Sequence, residues 1–247
     1  MPHPPCDPRE GIILDGASVR LGRQTVLHGL SMQLTEGRIG ILGRNGSGKT
    51  TLLRLIAGLV APEAGSVRVE GFDPFTDRRA ALAALGILFQ NPDHQILFPT
   101  VEEELAFGLA QQGLAQAEAL ARAGAALAAE GRAHWAKAPV SSLSQGQRHY
   151  LCLLSVLLMA PRTILLDEPL AGLDLPTQSR LARRFAALPQ RLVIISHDPA
   201  ALAGVDRVLW LEAGRIAADG PPAGVLPAFV AEMARIGAED ADADLAG

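Results

Sequence analysis

The spacing of apolar and polar positions changes several times along the chain, and each change marks an element. Short strand-like runs come first: "GIILDGASVRL" and "TVLHGLSMQL", then "RIGIL", which leads straight into a glycine-rich turn. From Lys49 the period becomes helical, with Leu52, Leu53, Leu55, Ile56 and Leu59 on one side and Gly58 near the end. "GSVRVEG" predicts another strand, and "LGILFQNPD" a strand that runs into a Pro-marked loop. From about Val101 to Ala160 alanine and leucine dominate. There "VEEELAFGLAQQGLAQAEALARAGAALAAE" predicts helix throughout, the pattern of an inserted helical subdomain. Strand and helix then alternate again: "TILLDEP", a helix near Thr177–Leu188, "RLVIISHD", and a hairpin over "DRVLWLEAGRIAADG". Such alternation predicts an α/β protein with a mainly parallel sheet. The tail "GAEDADADLAG" is acidic and poor in large apolar residues, which predicts fraying.

Composition narrows the function classes. A chain of 247 residues, 49% of them apolar, can bury a full core. Its net charge of −4, with both signs interspersed, argues against a nucleic-acid partner, which selects for a basic face. The two cysteines, Cys6 and Cys152, match no metal or redox spacing, and Cys152 falls in an apolar helix. The opening "MPHPPCDPRE" lacks the order of a signal peptide. The longest apolar run, Tyr150 to Ala160, is far shorter than the roughly 20 residues that span a bilayer. A soluble chain is expected, brought to any membrane by another protein.

Chemistry concentrates at strand ends. "GRNGSGKT" (Gly43, Arg44, Asn45, Gly46, Ser47, Gly48, Lys49, Thr50, with Thr51 following) matches the phosphate-binding loop pattern, after a strand and before a helix. Its glycines let backbone N–H groups turn inward around phosphates; Lys49 can reach the β- and γ-phosphates, and Thr50 can offer a hydroxyl to Mg²⁺. "TILLDEP" leaves Asp167 and Glu168 at the carboxyl edge of a parallel strand, where open α/β sheets bind ligands. Asp167 then suits Mg²⁺, and Glu168 suits a general base for water. Gln90 and His197 are polar residues at the ends of two further apolar strands; either could equally be a structural residue.

The pentapeptide "LSQGQ", Leu143 to Gln147, carries no acid, base or thiol. Read locally it starts a helix: Ser144 followed by Gln147 is a capping-box pattern, and Leu151, Leu154, Ser155 and Leu158 share a face behind it.

Taken in order, "GRNGSGKT", "FQNPD", "LSQGQ", "ILLDEP", "AGLD" and "IISHD" resemble the ATPase subunits of ABC transporters, from about residue 11 to 220. The resemblance implies an α/β P-loop NTPase with a mainly parallel sheet core, an N-terminal antiparallel β region and an inserted α-helical subdomain. Residues 11–95 and 161–222 would form the RecA-like core, about 96–160 the helical signature subdomain, and 223–247 a C-terminal helix and acidic tail. It implies ATP and Mg²⁺ as cofactors, with Thr50, Gln90 and Asp167 around the metal. Glu168, His197 and Gln90 would serve catalysis. Ser144, Gln145, Gly146 and Gln147 would meet ATP held by a second subunit, a homodimer in the simplest case, with Asp174 along the seam. Two departures stand out. Gln145 replaces the usual first glycine of LSGGQ, and Leu21 falls where many relatives stack an aromatic on adenine.

"FQNPDHQILFPTVEEELAFGL" is similar to the coupling-loop region of energy-coupling-factor (ECF) importers, which take up vitamins and metal ions. "EGRIGILGRNGSGKT" with "NPDHQILFPT" most resembles their biotin-uptake ATPases, with cobalt and nickel relatives next. This implies a transmembrane coupling subunit and a substrate-binding membrane subunit as partners, on the cytoplasmic face of the cell membrane. The docking groove would expose Phe98 and Pro99 inside an acidic rim, Glu102–Glu104. His94 is taken as a loop residue and not a metal ligand. The competing class is a cytosolic ABC ATPase that remodels a scaffold, as in iron–sulfur assembly; residues 95–108 favour the importer.

Overall fold

The computed structural model describes residues 11–238. Cys6 and most of the acidic tail lie outside them. Two sheets share the core. The smaller is antiparallel and three-stranded, in the order β2 (Gln24–Leu34), β1 (Ile12–Leu21), β4 (Ala64–Val69). The larger has six strands, in the order β5 (Leu85–Leu88), β6 (Thr163–Asp167), β7 (Arg191–Ser196), β3 (Arg38–Leu42), β8 (Arg207–Glu212), β9 (Arg215–Gly220). Strands β5 to β8 pair parallel, and only the β8–β9 hairpin is antiparallel. Parallel strands covered on both faces need continuous apolar runs. Accordingly Ile39, Ile41 and Leu42 in β3, and Ile164, Leu165 and Leu166 in β6, have no exposure at all.

Helix α1 (Lys49–Ile56) sends Leu52, Leu53, Leu55 and Ile56 into one cluster with residues of both sheets. That burial fixes where the phosphate loop, at the helix's N-terminal end, can sit. A buried Arg191–Glu70 ion pair joins the end of β4 to β7, and the Thr163 hydroxyl donates to the same carboxylate at 2.5 Å.

The alanine- and leucine-rich stretch is two helices where one was expected. Helix α3 (Val101–Gln111) ends at a turn in which Gly113 has φ +98°, and α4 (Gln116–Ala129) packs back against it. A left-handed glycine just past a helix end is a common stop, here unaccompanied by proline or a polar cluster. Ala119 and Ala123 are fully buried and let α4 lie close over Leu105 and Leu109. A short helix, α2 (Arg78–Ala84), is capped by Asp77 and is not announced by the apolar pattern.

Helix α5 (Gln145–Leu158) belongs to two cores. Leu151 and Leu154 join the α3–α4 cluster, while Cys152, Leu153 and Val156 pack on β6, β7 and Phe185 of α6 (Leu175–Ala186). Helix α7 (Pro222–Ala238) covers the far side, where Phe229 meets Trp210 edge-on at 5.4 Å.

Candidate active site

The carboxyl ends of β3, β5, β6 and β7 converge on a cavity of about 410 Å³. Asn45, Gly46, Gly48, Lys49, Thr50, Thr51, Gln90, Asp167, Glu168 and His197 line it. Four separate sequence segments thus meet at one sheet edge, as the strand-end pattern requires.

The phosphate loop is held from behind. Lys49 is 7% exposed, and its ammonium donates to the carbonyls of Gly43 at 2.7 Å and Arg44 at 2.9 Å. Burial pushes its pKa below the ordinary lysine range, against the opposing pull of Glu168, Asp167 and Glu212. Gly46 and Gly48 have φ of +80° and +104°, conformations that turn backbone N–H groups toward a bound anion. Gly43 is required for space: a Cβ there would lie 2.3 Å from the Leu211 carbonyl. The buried Ser47 hydroxyl has no hydrogen-bond partner among the described residues.

Two features at this loop escape sequence reading. Val26 of β2 lines the cavity. The turn between β8 and β9 braces the loop, since Gly214 N–H donates to the Ser47 carbonyl at 3.0 Å. Gly214 has φ +73°, and a Cβ there would lie 2.0 Å from the Val26 carbonyl. No local signal in "EAGRI" points to a phosphate loop more than 150 residues away.

Asp167 is 7% exposed at the end of β6 and hydrogen-bonds with Thr50. Burial, then the adjacent Glu168 charge, raises its pKa; Arg54, Lys49 and the Thr50 bond oppose the rise. Glu168 itself has φ +48°, and its N–H donates to the Ile195 carbonyl at 3.0 Å. This strained turn directs the carboxylate to β7's end. There Oε1 accepts the His197 backbone N–H at 2.9 Å and lies 2.8 Å from its Nδ1. Thr50, Gln90 and Asp167 bring oxygen donors of the kind suited to a hard divalent cation to this cavity. A larger cavity, of about 550 Å³, lies behind the Glu168–His197 pair over Phe185 and Ile194, but no phosphate-loop residue reaches it.

The pentapeptide sits elsewhere. Ser144 caps α5 in a reciprocal capping box: Gln147 N–H donates to its Oγ at 3.3 Å, and Ser144 N–H donates to the Gln147 amide oxygen at 2.7 Å. Ser144, Gln145 and Gln147 are exposed, and none of residues 144–147 lines the cavity. Gly146 lies against α6, a Cβ there meeting Thr177 Cγ2 at 3.0 Å. Asp174 is the exposed N-cap of α6, accepting the Thr177 N–H at 2.8 Å; bonds from Thr177 hold its pKa low. Leu21, at the end of β1, is 44% exposed and lines no part of the cavity.

The expected acidic rim is corrected. Glu104 is 5% exposed, and its carboxylate accepts the N–H groups of Leu97 at 2.8 Å and Phe98 at 2.9 Å. Glu102 pairs with Lys137, and Glu103 accepts the Thr100 hydroxyl. These acids shape the loop, each engaged with its own chain. Phe98 is partly buried against Phe107, at 5.1 Å between ring centroids, so the exposed apolar groups are Pro99, as expected, and Leu97, at 66%.

Among the described residues no helix is long and apolar enough to cross a membrane. The ABC transporter family profile matches residues 27–171. The chain is 57% identical over 216 residues to the biotin transport ATP-binding protein BioM of Rhodobacter capsulatus, covering 86% of this chain and 92% of that one. It is 36% identical to the cobalt import ATP-binding protein CbiO of Syntrophus aciditrophicus, covering 82% and 75% respectively. The solved structure of cbiO1 from Clostridium perfringens superposes with a TM-score of 0.73 at 28% identity, covering 87% of this chain and 90% of that one. With its phosphate loop, acidic strand end and signature helix on one such scaffold, the chain belongs to the ABC transporter ATP-binding proteins, Mg²⁺-dependent ATPases whose hydrolysis of ATP is coupled to transport.

Proposed function

We propose that this chain is the motor of an ECF-type importer that takes up a vitamin, with biotin as the cargo. The single observation that carries the mechanism is the division of the site. The cavity gathers the phosphate loop, Gln90, Asp167, Glu168 and His197, while Ser144, Gln145 and Gln147 are exposed outside it. A site built this way is completed by a second copy, whose α5 N-terminus and Ser144 approach the γ-phosphate with a field that favours negative charge.

Each residue then has one task. Lys49 and the N–H groups from Asn45 to Thr51 bind the β- and γ-phosphates. Thr50, Asp167 and Gln90 hold Mg²⁺, which when bound offsets the phosphate charge. Glu168 takes the proton of the attacking water, and His197 fixes the carboxylate that does so. Gln145 and Gly146 present the helix start, and Asp174 keeps α6 in place beside it. Leu97 and Pro99, exposed on the loop that follows Gln90 in the chain, form the docking face for a helix of the transmembrane coupling subunit. Placement on the cytoplasmic face of the cell membrane follows from that contact.

The likeness to a biotin transport protein supports biotin as the cargo; the likeness to a cobalt import protein supports a metal-ion importer as the second reading. Labelled uptake in cells that depend on this chain separates them. Biotin uptake should require it and should vanish with Lys49→Ala. Cobalt or nickel uptake with the same dependence, and none for biotin, would establish the second reading. Biotin uptake indifferent to Lys49→Ala would sink the first.

A further inference from the structure

The loop after Gln90 and the start of α5 are joined by a side-chain relay. Asn91 caps a 3-10 turn, Pro92–His94, by accepting the Asp93 N–H at 2.9 Å. Pro92 is buried against α5, with the Cys152 thiol 4.0 Å from its carbonyl. This leaves Asp93 on the outer side of the turn, where Oδ1 lies 3.1 Å from Arg148 Nε. That contact is an ion pair and not an aligned hydrogen bond, since among the described residues the Nε–H has no acceptor in line. The same guanidinium donates from Nη1 to the Leu143 carbonyl at 3.0 Å. Leu143 is buried and precedes Ser144.

We propose that Asp93 is a positioning residue for the signature: through Arg148 it holds the Leu143–Ser144 peptide, so that displacement of the Gln90 loop moves the residue offered to the second copy's ATP. The proposal rests on the reading of Ser144 as a phosphate-binding residue in trans. Three facts favour it over an idle surface pair. Asp93 lies three residues from Gln90, which lines the cavity, and Arg148 reaches the carbonyl next to Ser144. Arg148 is also only 24% exposed at its side chain, so loss of Asp93 leaves a half-sheltered cation with one fewer partner. A guanidinium is suited to this, because its delocalised charge attracts Asp93 while Nη1 donates to the Leu143 carbonyl.

The test uses the purified full-length chain, with ATP turnover, ATP affinity of the monomer and thermal melting measured together. Asp93→Asn should lower kcat about fivefold, the upper end for a pair this exposed, with KM and monomer affinity unchanged. Arg148→Gln should lower kcat at least as much, and Arg148→Lys should not rescue it because a compact ammonium replaces the broad group that meets both Asp93 and the Leu143 carbonyl. In the double variant the two effects should not multiply, since both cut one relay. Asp93→Glu should restore most of the rate. Normal kcat in Asp93→Asn, or multiplicative effects in the double variant, would overturn the relay. Ser144→Ala separates this from failure of the reading beneath it. If Ser144→Ala is inactive while Asp93→Asn is normal, the relay alone is wrong. If Ser144→Ala turns over normally, the signature reading fails and the relay with it.

Discussion

Nδ1 of His197 lies 2.8 Å from Oε1 of Glu168, and the same oxygen accepts the His197 backbone N–H at 2.9 Å. One carboxylate oxygen is thereby held twice by a single residue, while among the described residues Oε2 has only the Ser196 hydroxyl, at 3.4 Å. The carboxylate proposed as general base is oriented from the neighbouring strand end, leaving Oε2 the freer oxygen.

Glu168→Gln keeps an oxygen for the His197 N–H and loses only the ability to take a proton. Turnover should fall on the order of a hundredfold or more, with ATP binding preserved. His197→Ala leaves the backbone N–H contact and removes the ring, so turnover should fall less, about tenfold to a hundredfold for a misplaced base. Steady-state hydrolysis with parallel nucleotide-binding measurements distinguishes the two. Normal turnover in Glu168→Gln would place the base elsewhere.

Glu104 tests the corrected loop. Its carboxylate accepts two N–H groups in a nearly buried setting. Glu104→Ala should cost about 3 kcal/mol, since bonds to a charged group contribute roughly 1.5–3 kcal/mol each and the two share one acceptor. Glu104→Gln, which keeps an acceptor oxygen, should cost less than half as much in a denaturant melt. Leu97→Asp should leave the same melt unchanged and abolish co-purification with membrane subunits. Equal stability of Glu104→Ala and the natural protein would return Glu104 to the surface.

How far the sequence carries depends on the range of each contact. "GRNGSGKT" and the Ser144–Gln147 capping box were readable because loop, cap and helix start lie within a few residues. The parallel core was readable because strands buried on both faces show unbroken apolar runs. The break at Gly113 was hidden because Gln111, Gln112, Leu114 and Ala115 suit helix as well as turn. Glu104 misled for a related reason: an acid in the first helical turn is favourable for its charge alone. Only the tertiary path of residues 97–98 aims two N–H groups at it. Val26 and Gly214 belong to the site through sheet packing, which the local sequence does not encode.

His149 makes stability depend on pH. The side chain is fully buried in α5, and neither ring nitrogen has a hydrogen-bond partner among the described residues. Burial lowers its pKa below the ordinary histidine value. Above pH of about 6.5 the ring is neutral in both folded and unfolded chains and adds no pH dependence. Below that value the unfolded chain takes a proton that the fold resists, so stability falls with acidification until the lower folded pKa is passed. His149→Leu removes this loss. Its urea midpoint relative to the natural protein should therefore rise between pH 8 and pH of about 5.5. The same difference at both pH values would show that His149 is not the group responsible.

Leu21 bears on how the nucleotide base is read. It ends β1, is 44% exposed, and pairs in register with Gln24 across the β1–β2 turn. An aliphatic side chain offers a base contact area but no aromatic face, and base stacking contributes roughly 1–3 kcal/mol in nucleic-acid binders. Selection of adenine over guanine should therefore be weak, with GTP supporting appreciable turnover. Leu21→Tyr should tighten ATP binding about fivefold, corresponding to the low end of that range. Because Leu21 lines no part of the phosphate cavity, kcat should stay within about twofold, since contact made equally in ground and transition states alters binding alone. Strong rejection of GTP by the natural protein, or no gain from Leu21→Tyr, would mean that another group reads the base.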